Sequence, residues 1–249
     1  MSRTPTRAGG VALFLCVAFA STGYAGTITD NFNDTALDPT LWRTWSNGGS
    51  FSASDTNQRL QLTLTGDSAA GGVGLQWLAL GNFDLQVSYS LLTDIHGFNH
   101  AQDQSGAGIA AFASGILVVQ FPVSVLNLPP PGGVYAAAEG DTLYGDVLTS
   151  DLSGKFRLTR VANVYTGYYW GANNWIPLGS GTSARTGPAD LSLDVFADGG
   201  ATVPVAFDDF YLQADGFAPV PEPSSLALAG IALGLIGLIG KRRQQTNTT

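Results

Sequence analysis

Strict alternation of apolar and polar side chains is the feature that most limits what this chain can fold into. Arg59-Leu60-Gln61-Leu62-Thr63-Leu64-Thr65 alternates without a break, and so does Phe83-Asp84-Leu85-Gln86-Val87-Ser88-Tyr89. Lys155-Phe156-Arg157-Leu158-Thr159, Leu191-Ser192-Leu193-Asp194-Val195 and Val205-Ala206-Phe207-Asp208-Asp209-Phe210-Tyr211 repeat the pattern. Successive side chains of an extended strand point to opposite faces, so each run buries one face and wets the other. Turn-forming clusters part the runs, as at Asn47-Gly48-Gly49 and Ala197-Asp198-Gly199-Gly200. Gly71-Gly72-Val73-Gly74 reads as another segment between strands. Arg160-Val161-Ala162-Asn163 reads as the turn of a hairpin joining 154–159 to 164–170, with 174–179 as a third strand. No long helical period occurs outside the two ends. The pattern predicts an all-β domain over residues 26–217, an antiparallel β-sandwich or barrel.

The two ends obey different rules. Residues 1–25 read as a signal peptide for the Sec export machinery. Arg3 and Arg7 precede the apolar stretch 11–20, and Gly23 and Ala25 suit the −3 and −1 positions for cleavage before Gly26. That stretch is too short to cross a bilayer core, which takes about 20 residues. The only cysteine, Cys16, lies inside it. The exported domain therefore has no disulfide and no thiol, and it needs a core of real size. At the other end, Val220-Pro221-Glu222-Pro223 precedes two serines, an apolar stretch of Leu, Ile, Ala and Gly, and the basic cluster Lys241, Arg242 and Arg243. The prolines stop a strand, and a serine caps a helix. Residues 224–240 are expected to form a single transmembrane helix near the lower limit of length. Its basic end stays in the cytoplasm, so the sandwich lies outside, as the signal peptide also requires. Residues 244–249 form a polar tail.

Charge narrows the choice of partners. The whole chain carries −8, but the two ends hold five of its eleven basic residues and one of its nineteen acidic residues. Residues 26–220 thus keep six basic against eighteen acidic groups, a net charge of −12. Such a domain is unsuited to nucleic acid or anionic lipid.

Catalytic groups are scarce. A glycosidase needs two carboxyl groups flanking the scissile bond, yet Glu139 is the only glutamate between the two ends. Glu139-Gly140-Asp141 is the only close Glu–Asp pair, and its glycine makes it a turn. His96 and His100 have the spacing of two zinc ligands on a helix, but Gly97-Phe98-Asn99 and the polar residues 102–106 make a solvated loop. Asp94 and Asp103 flank the pair, so cation binding by this loop is the alternative to a solvated loop. No Gly-x-Ser-x-Gly elbow is present. No catalytic residue, no metal ligand and no enzymatic activity are therefore expected. Asp208 and Asp209 alternate to opposite faces, and one of them is expected to pair with Arg157 or Arg160; calcium, which takes six or more oxygens, is the alternative. The aromatic cluster is more suggestive. Tyr168 and Trp170 share one strand face, while Tyr165 and Tyr169 share the other. One side fills a core, as aromatics commonly do. The other, with Trp175, is a candidate carbohydrate contact, because flat apolar rings match the C–H face of a sugar.

Two resemblances add to this reading. The tail from Pro221 to Arg243, within residues 218–243, resembles the PEP-CTERM sorting signal of Gram-negative bacteria. That likeness implies recognition by an exosortase, a membrane transpeptidase-like enzyme that cuts near the Pro-Glu-Pro motif and passes the protein to the cell surface. It also implies a link to exopolysaccharide and biofilm. The middle resembles a concanavalin A-like or laminin-G-like jelly roll. The likeness is carried by residues 30–34 with Leu37 to Trp42, by the hairpin from Phe156 to Trp175, and by the closing strand Phe207 to Leu212. That superfamily implies lectins, glycosidases and adhesion modules, often with a structural calcium. The expectation is an exported, transiently membrane-anchored surface or matrix protein whose jelly roll binds polysaccharide. A glycan hydrolase and a purely structural matrix protein are the alternatives.

Overall fold

The protein is described by a computed structural model covering residues 25–98, 105–111, 116–122, 126, 131–140 and 142–221. The described residues form strands β1 (Gly26–Asp30), β2 (Trp42–Asn47), β3 (Ser50–Asp55), β4 (Leu60–Gly66), β5 (Ala69–Leu91), β6 (Gly106–Ala111) and β7 (Ile116–Pro122). They continue as β8 (Gly133–Glu139), β9 (Thr142–Thr149), β10 (Ser153–Val161), β11 (Val164–Gly171), β12 (Asn174–Thr182), β13 (Ala189–Ala197) and β14 (Ala201–Pro219). All recorded pairings are antiparallel.

The strands form two layers that share β5. The first half of β5 lies between β13 and β2, and the sheet continues from β13 through β6, β7 and β8 to β9. The second half lies between β10 and β14. From β10 this second sheet continues through β11 to β12. On the far side of β14 stand β1 and β4, and β3 follows β4. Aromatic rings tie the layers face to face. Tyr135 of β8 in the first sheet stacks on Tyr169 of β11 in the second at 4.8 Å between centroids, and within the second sheet Tyr89 of β5 stacks on Phe156 of the neighbouring β10 at 4.1 Å. The Tyr89 hydroxyl donates to that of Tyr135 at 2.7 Å, and Tyr135 donates to Asp151 at 3.1 Å. Burial raises the pKa of both phenols, so they stay neutral donors. Around them pack the apolar members of each alternating run, such as Leu60, Leu62, Leu64, Leu85, Leu158, Leu191 and Leu193. The opening and closing segments meet in the same core. Trp42 stands edge-on to Phe210 at 4.9 Å, and its indole donates to Asp30 at 2.7 Å.

Several sequence readings change. Gly71, Gly72 and Gly74 lie inside β5, not between strands. A Cβ on Gly72 would stand 2.3 Å from the Leu193 carbonyl and 2.7 Å from the Asp194 carboxylate, so the strand needs glycine there for close approach. The β10–β11 turn is tighter than the four residues expected: Val161 pairs with Val164, leaving Ala162 and Asn163, with Ala162 at φ 56°. The sandwich also runs past residue 217. Pro219 pairs with Trp77, and the Val220 amide donates to the Gln76 carbonyl at 2.9 Å.

Arg160 is not a turn residue but a buried one, 1% exposed on the inward face of β10. Its guanidinium donates to the Gly81 carbonyl through two nitrogens, to the Gly187 carbonyl at 2.8 Å and to the Tyr165 hydroxyl at 3.2 Å. It also lies over the Phe83 ring at 5.2 Å. Gly81 has φ +64° and sits where β5 exchanges its first-sheet neighbours for those of the second sheet. Arg160 therefore pins the crossing of the shared strand to the segment before β13. Replacing it removes several charge-assisted bonds from a buried position. Arg160→Met is expected to lower unfolding free energy by about 2–4 kcal/mol, read by urea denaturation, while Arg157→Met on the wet face of the same strand costs about 1 kcal/mol or less.

Candidate functional site

The outward face of β10, β11 and β12 carries the candidate contact residues. Alternation sends Tyr165 and Tyr169 into the core, where Tyr165 is buried and Tyr169 packs against Tyr135. Tyr168 and Trp170 point the other way, as read from the sequence, and the hairpin to β12 sets Trp175 beside them. Trp170 pairs in register with Trp175, and their rings meet edge to face at 5.1 Å. Trp170 is 36% exposed, so the indole pair is open to water rather than part of the core. The extra residue of β12 opposite Gly167 and Tyr168 is Leu178, which turns inward and is buried.

The basic residues of β10 complete this face. Arg157 makes a bidentate pair with Asp84 of β5, Nε to Oδ1 at 2.8 Å and Nη2 to Oδ2 at 2.7 Å. The hydrogen bonds to Asp84 hold its pKa above the ordinary arginine value. Its guanidinium lies over Tyr168 at 5.0 Å and over Trp175 at 5.7 Å. Lys155 Nζ lies 5.9 Å from the centre of the Trp170 ring. Beside Arg157 is a shallow depression of about 380 Å³ that reaches Asn82, Gln213 and Asp215. The surface is flat and aromatic with fixed polar groups, suited to binding a chain of sugar rings. Its carboxylates are Asp84, held by Arg157, and Asp215 in the depression.

The expected partner of Arg157 was Asp208 or Asp209, and that is corrected. Arg157 takes Asp84, Arg160 takes backbone carbonyls, and Asp208 instead lies 4.0 Å from Arg59. Nor do the two aspartates face opposite sides. A bulge between Asp208 and Tyr211, with Asp209 at φ 50°, brings both to one depression with Arg59 and Ser88. His96 is likewise not solvated: it is 6% exposed and stands 3.2 Å from the Gln120 amide. His100, Asp103 and Asp141 lie outside the described residues. So do Gly23, Glu222, Pro223, Lys241, Arg242 and Arg243, together with the signal peptide and the membrane helix; Ala25 and Pro221 are at the margins of the described chain.

An acidic cleft of about 610 Å³ lies between Asp30, Asp34, Asp38 and Asp209. Two of its carboxylates are already engaged. Asp30 accepts from the Phe32 amide and the Trp42 indole, and Asp38 accepts from the Thr40 amide and hydroxyl, which lower its pKa. Among the described residues no group of three or more His, Cys, Asp or Glu is arranged to hold a metal ion.

One polar row escaped the sequence reading. On β13 the inward side chains are Leu191, Leu193 and Val195, while Asp190, Ser192 and Asp194 share the other face. Alternation marked that face as wet, yet Ser192 and Asp194 are each 2% exposed. Asp190 pairs with Arg43 at 2.5 Å. Asp194 Oδ1 has no hydrogen-bond partner among the described residues. Burial pushes the Asp194 pKa up to about 8; Ser192 and Trp45 beside it oppose the rise, and the charge of Asp190 adds to it. The group is thus protonated when folded near neutral pH and ionised when unfolded. Stability falls as pH rises from about 4 to about 8, because the unfolded chain releases the proton first. Asp194→Asn is expected to flatten that slope and to gain on the order of 2 kcal/mol at pH 7.5, measured by urea unfolding across pH. An unchanged slope would remove Asp194 as its cause.

Comparison with known proteins follows this geometry. The sandwich has the jelly-roll fold of several solved structures. The exoplasmic/lumenal domain of VIP36 in its metal-free form matches with a TM-score of 0.52 at 12% identity, over 78% of this chain and 96% of that one. A structure described under endo-acting O-glycanases of the human gut microbiota matches with a TM-score of 0.50 at 11% identity, over 78% and 99%. The GH43 protein BlXynB of Bacillus licheniformis matches with a TM-score of 0.52 at 15% identity, over 75% of this chain and 39% of that one. Identities this low establish the fold alone. No curated protein matches by sequence. Beyond the sandwich, residues 219–244 match the PEP-CTERM protein-sorting motif. The chain is a jelly-roll protein that carries this sorting motif, and the motif begins at the last residue of β14 with no spacer.

Proposed function

We propose that this chain is a non-catalytic surface protein that displays a polysaccharide-binding sandwich. The observation that carries the reading is the outward placement of Trp170, Trp175 and Tyr168, while Tyr165 and Tyr169 supply the core. Open indoles are costly to leave in water and match the apolar face of a sugar ring. A lectin-like and a glycan-hydrolase-like neighbour share the fold, which is compatible with glycan binding. Hydrolysis is less well supported. On β13 the acidic pair Asp190 and Asp194 is roughly 13 Å apart along the strand, and Asp190 is engaged by Arg43; beside the aromatic face, Asp84 is engaged by Arg157. A glycosidase needs its carboxyl groups about 5–9.5 Å apart. On a glycan array, the full chain in detergent is expected to bind polysaccharide, and Trp170→Ala and Trp175→Ala each to weaken binding by at least about tenfold, the cost of one lost aromatic contact of 1–2 kcal/mol. Equal binding by these variants would remove the platform from the function; release of reducing sugar would overturn the non-enzymatic reading.

The sorting motif supports the second half of the proposal. The chain is exported, held in the inner membrane by its tail, processed by an exosortase and passed to the surface or matrix. Export-competent cells expressing Pro221→Ala/Glu222→Ala are expected to retain the protein in the membrane fraction at its unprocessed size, whereas normal processing of that variant would contradict the role of the motif.

A further inference from the structure

We infer that the polysaccharide taken by this face is anionic, a polymer bearing carboxylates; the inference rests on the binding platform proposed above. The residues that point to it are cations placed among the aromatic rings. Lys155 of β10 lies just beyond the last recorded pair with β11, Phe156 with Tyr169, and its Nζ is 5.9 Å from the centre of the Trp170 ring. Two residues on, Arg157 stands opposite Tyr168, 5.0 Å from that ring. The same pair, a cation beside an aromatic ring, therefore recurs along the strand at roughly 7 Å, two residues of extended chain. A sugar stacked on the indoles meets a positive charge at its edge.

The charge ledger separates this from ordinary surface decoration. Residues 26–220 hold six basic side chains against eighteen acidic ones. Arg160 is buried on carbonyls, Arg43 is paired with Asp190, and Arg59 lies near Asp208. Arg157 is paired with Asp84 through Nε and Nη2, and those bonds leave its Nη1 unused toward that partner. Lys155 makes no ion pair with any described residue. The charged side chains at the rings, Lys155 and Arg157 against Asp84, sum to +1 in a domain of −12, while Asp215 lines the depression beside Arg157. A neutral sugar needs the rings and no cation. The acidic pair Asp208 and Asp209 lies two strands away on β14, roughly 10 Å from β10, and is screened over a Debye length of about 8 Å at physiological salt. Close to the indoles, the positive groups dominate.

The test uses the full chain in detergent with two probes that share a backbone: polygalacturonate and its fully methyl-esterified form, which lacks the charge. Polygalacturonate is expected to bind at least about tenfold more tightly than the ester, with an advantage that shrinks in added salt. Lys155→Glu is expected to abolish the advantage, and Lys155→Gln to reduce it. Both changes are on an exposed side chain, and unchanged melting midpoints verify the fold. Equal binding of the two probes, with loss of both in Trp170→Ala, would overturn the anionic preference and leave the platform standing. A preference that survives Lys155→Glu would overturn the assignment to this face. Binding of neither probe, or binding of both unchanged by Trp170→Ala, would overturn the inference and the platform together.

Discussion

One guanidinium holds the geometry on which both sheets depend. β5 belongs to the first sheet over its first half and to the second sheet over the rest, and it changes neighbours around Gly81. A glycine with positive φ is free to bend, but freedom alone does not choose one bend. Arg160 makes that choice by binding the Gly81 carbonyl and the Gly187 carbonyl together. Being buried with no carboxylate partner among the described residues, it must keep these acceptors, so it resists rearrangement. The next outward positions of the same strand are Lys155, Arg157 and Thr159. The orientation of the aromatic face is therefore set from beneath by the clamp.

The strands were legible because each alternating run obeys a local rule. Tyr168 and Trp170 were placed on one face, and Tyr165 and Tyr169 on the other, from period two alone. What was not legible depends on partners distant in sequence. Gly71 to Gly74 resembled a linker because glycine usually breaks strands; here it admits Asp194, more than 100 residues later in the chain. Arg160 resembled a turn residue because its acceptors are carbonyls, which leave no side-chain signature. Ser192 and Asp194 were expected to be wet, but this part of β13 is buried on both faces, and a single strand cannot announce what covers its second side. The bulge at Asp208–Tyr211 shifted the parity of an otherwise readable run.

The sorting motif and the sandwich are closely joined. Residue 219 is both the last of β14 and the first matched to the motif, and the next amide still donates to Gln76. The motif therefore begins at a strand end that is hydrogen-bonded into the domain. The aromatic face and the sorting motif lie at different ends of the same hydrogen-bonded network: the aromatic face is at the β12 edge, and the motif leaves from the strand that flanks β5 on its other side. A protein released near this motif would carry its aromatic face intact.

The most direct measurement is hydrogen–deuterium exchange of the full chain in detergent, with and without polygalacturonate. The account predicts slowed exchange concentrated in residues 153–182, the strands that bear Lys155, Arg157, Tyr168, Trp170 and Trp175. Protection centred instead on residues 189–197, around Asp194, or no protection at all, would contradict it.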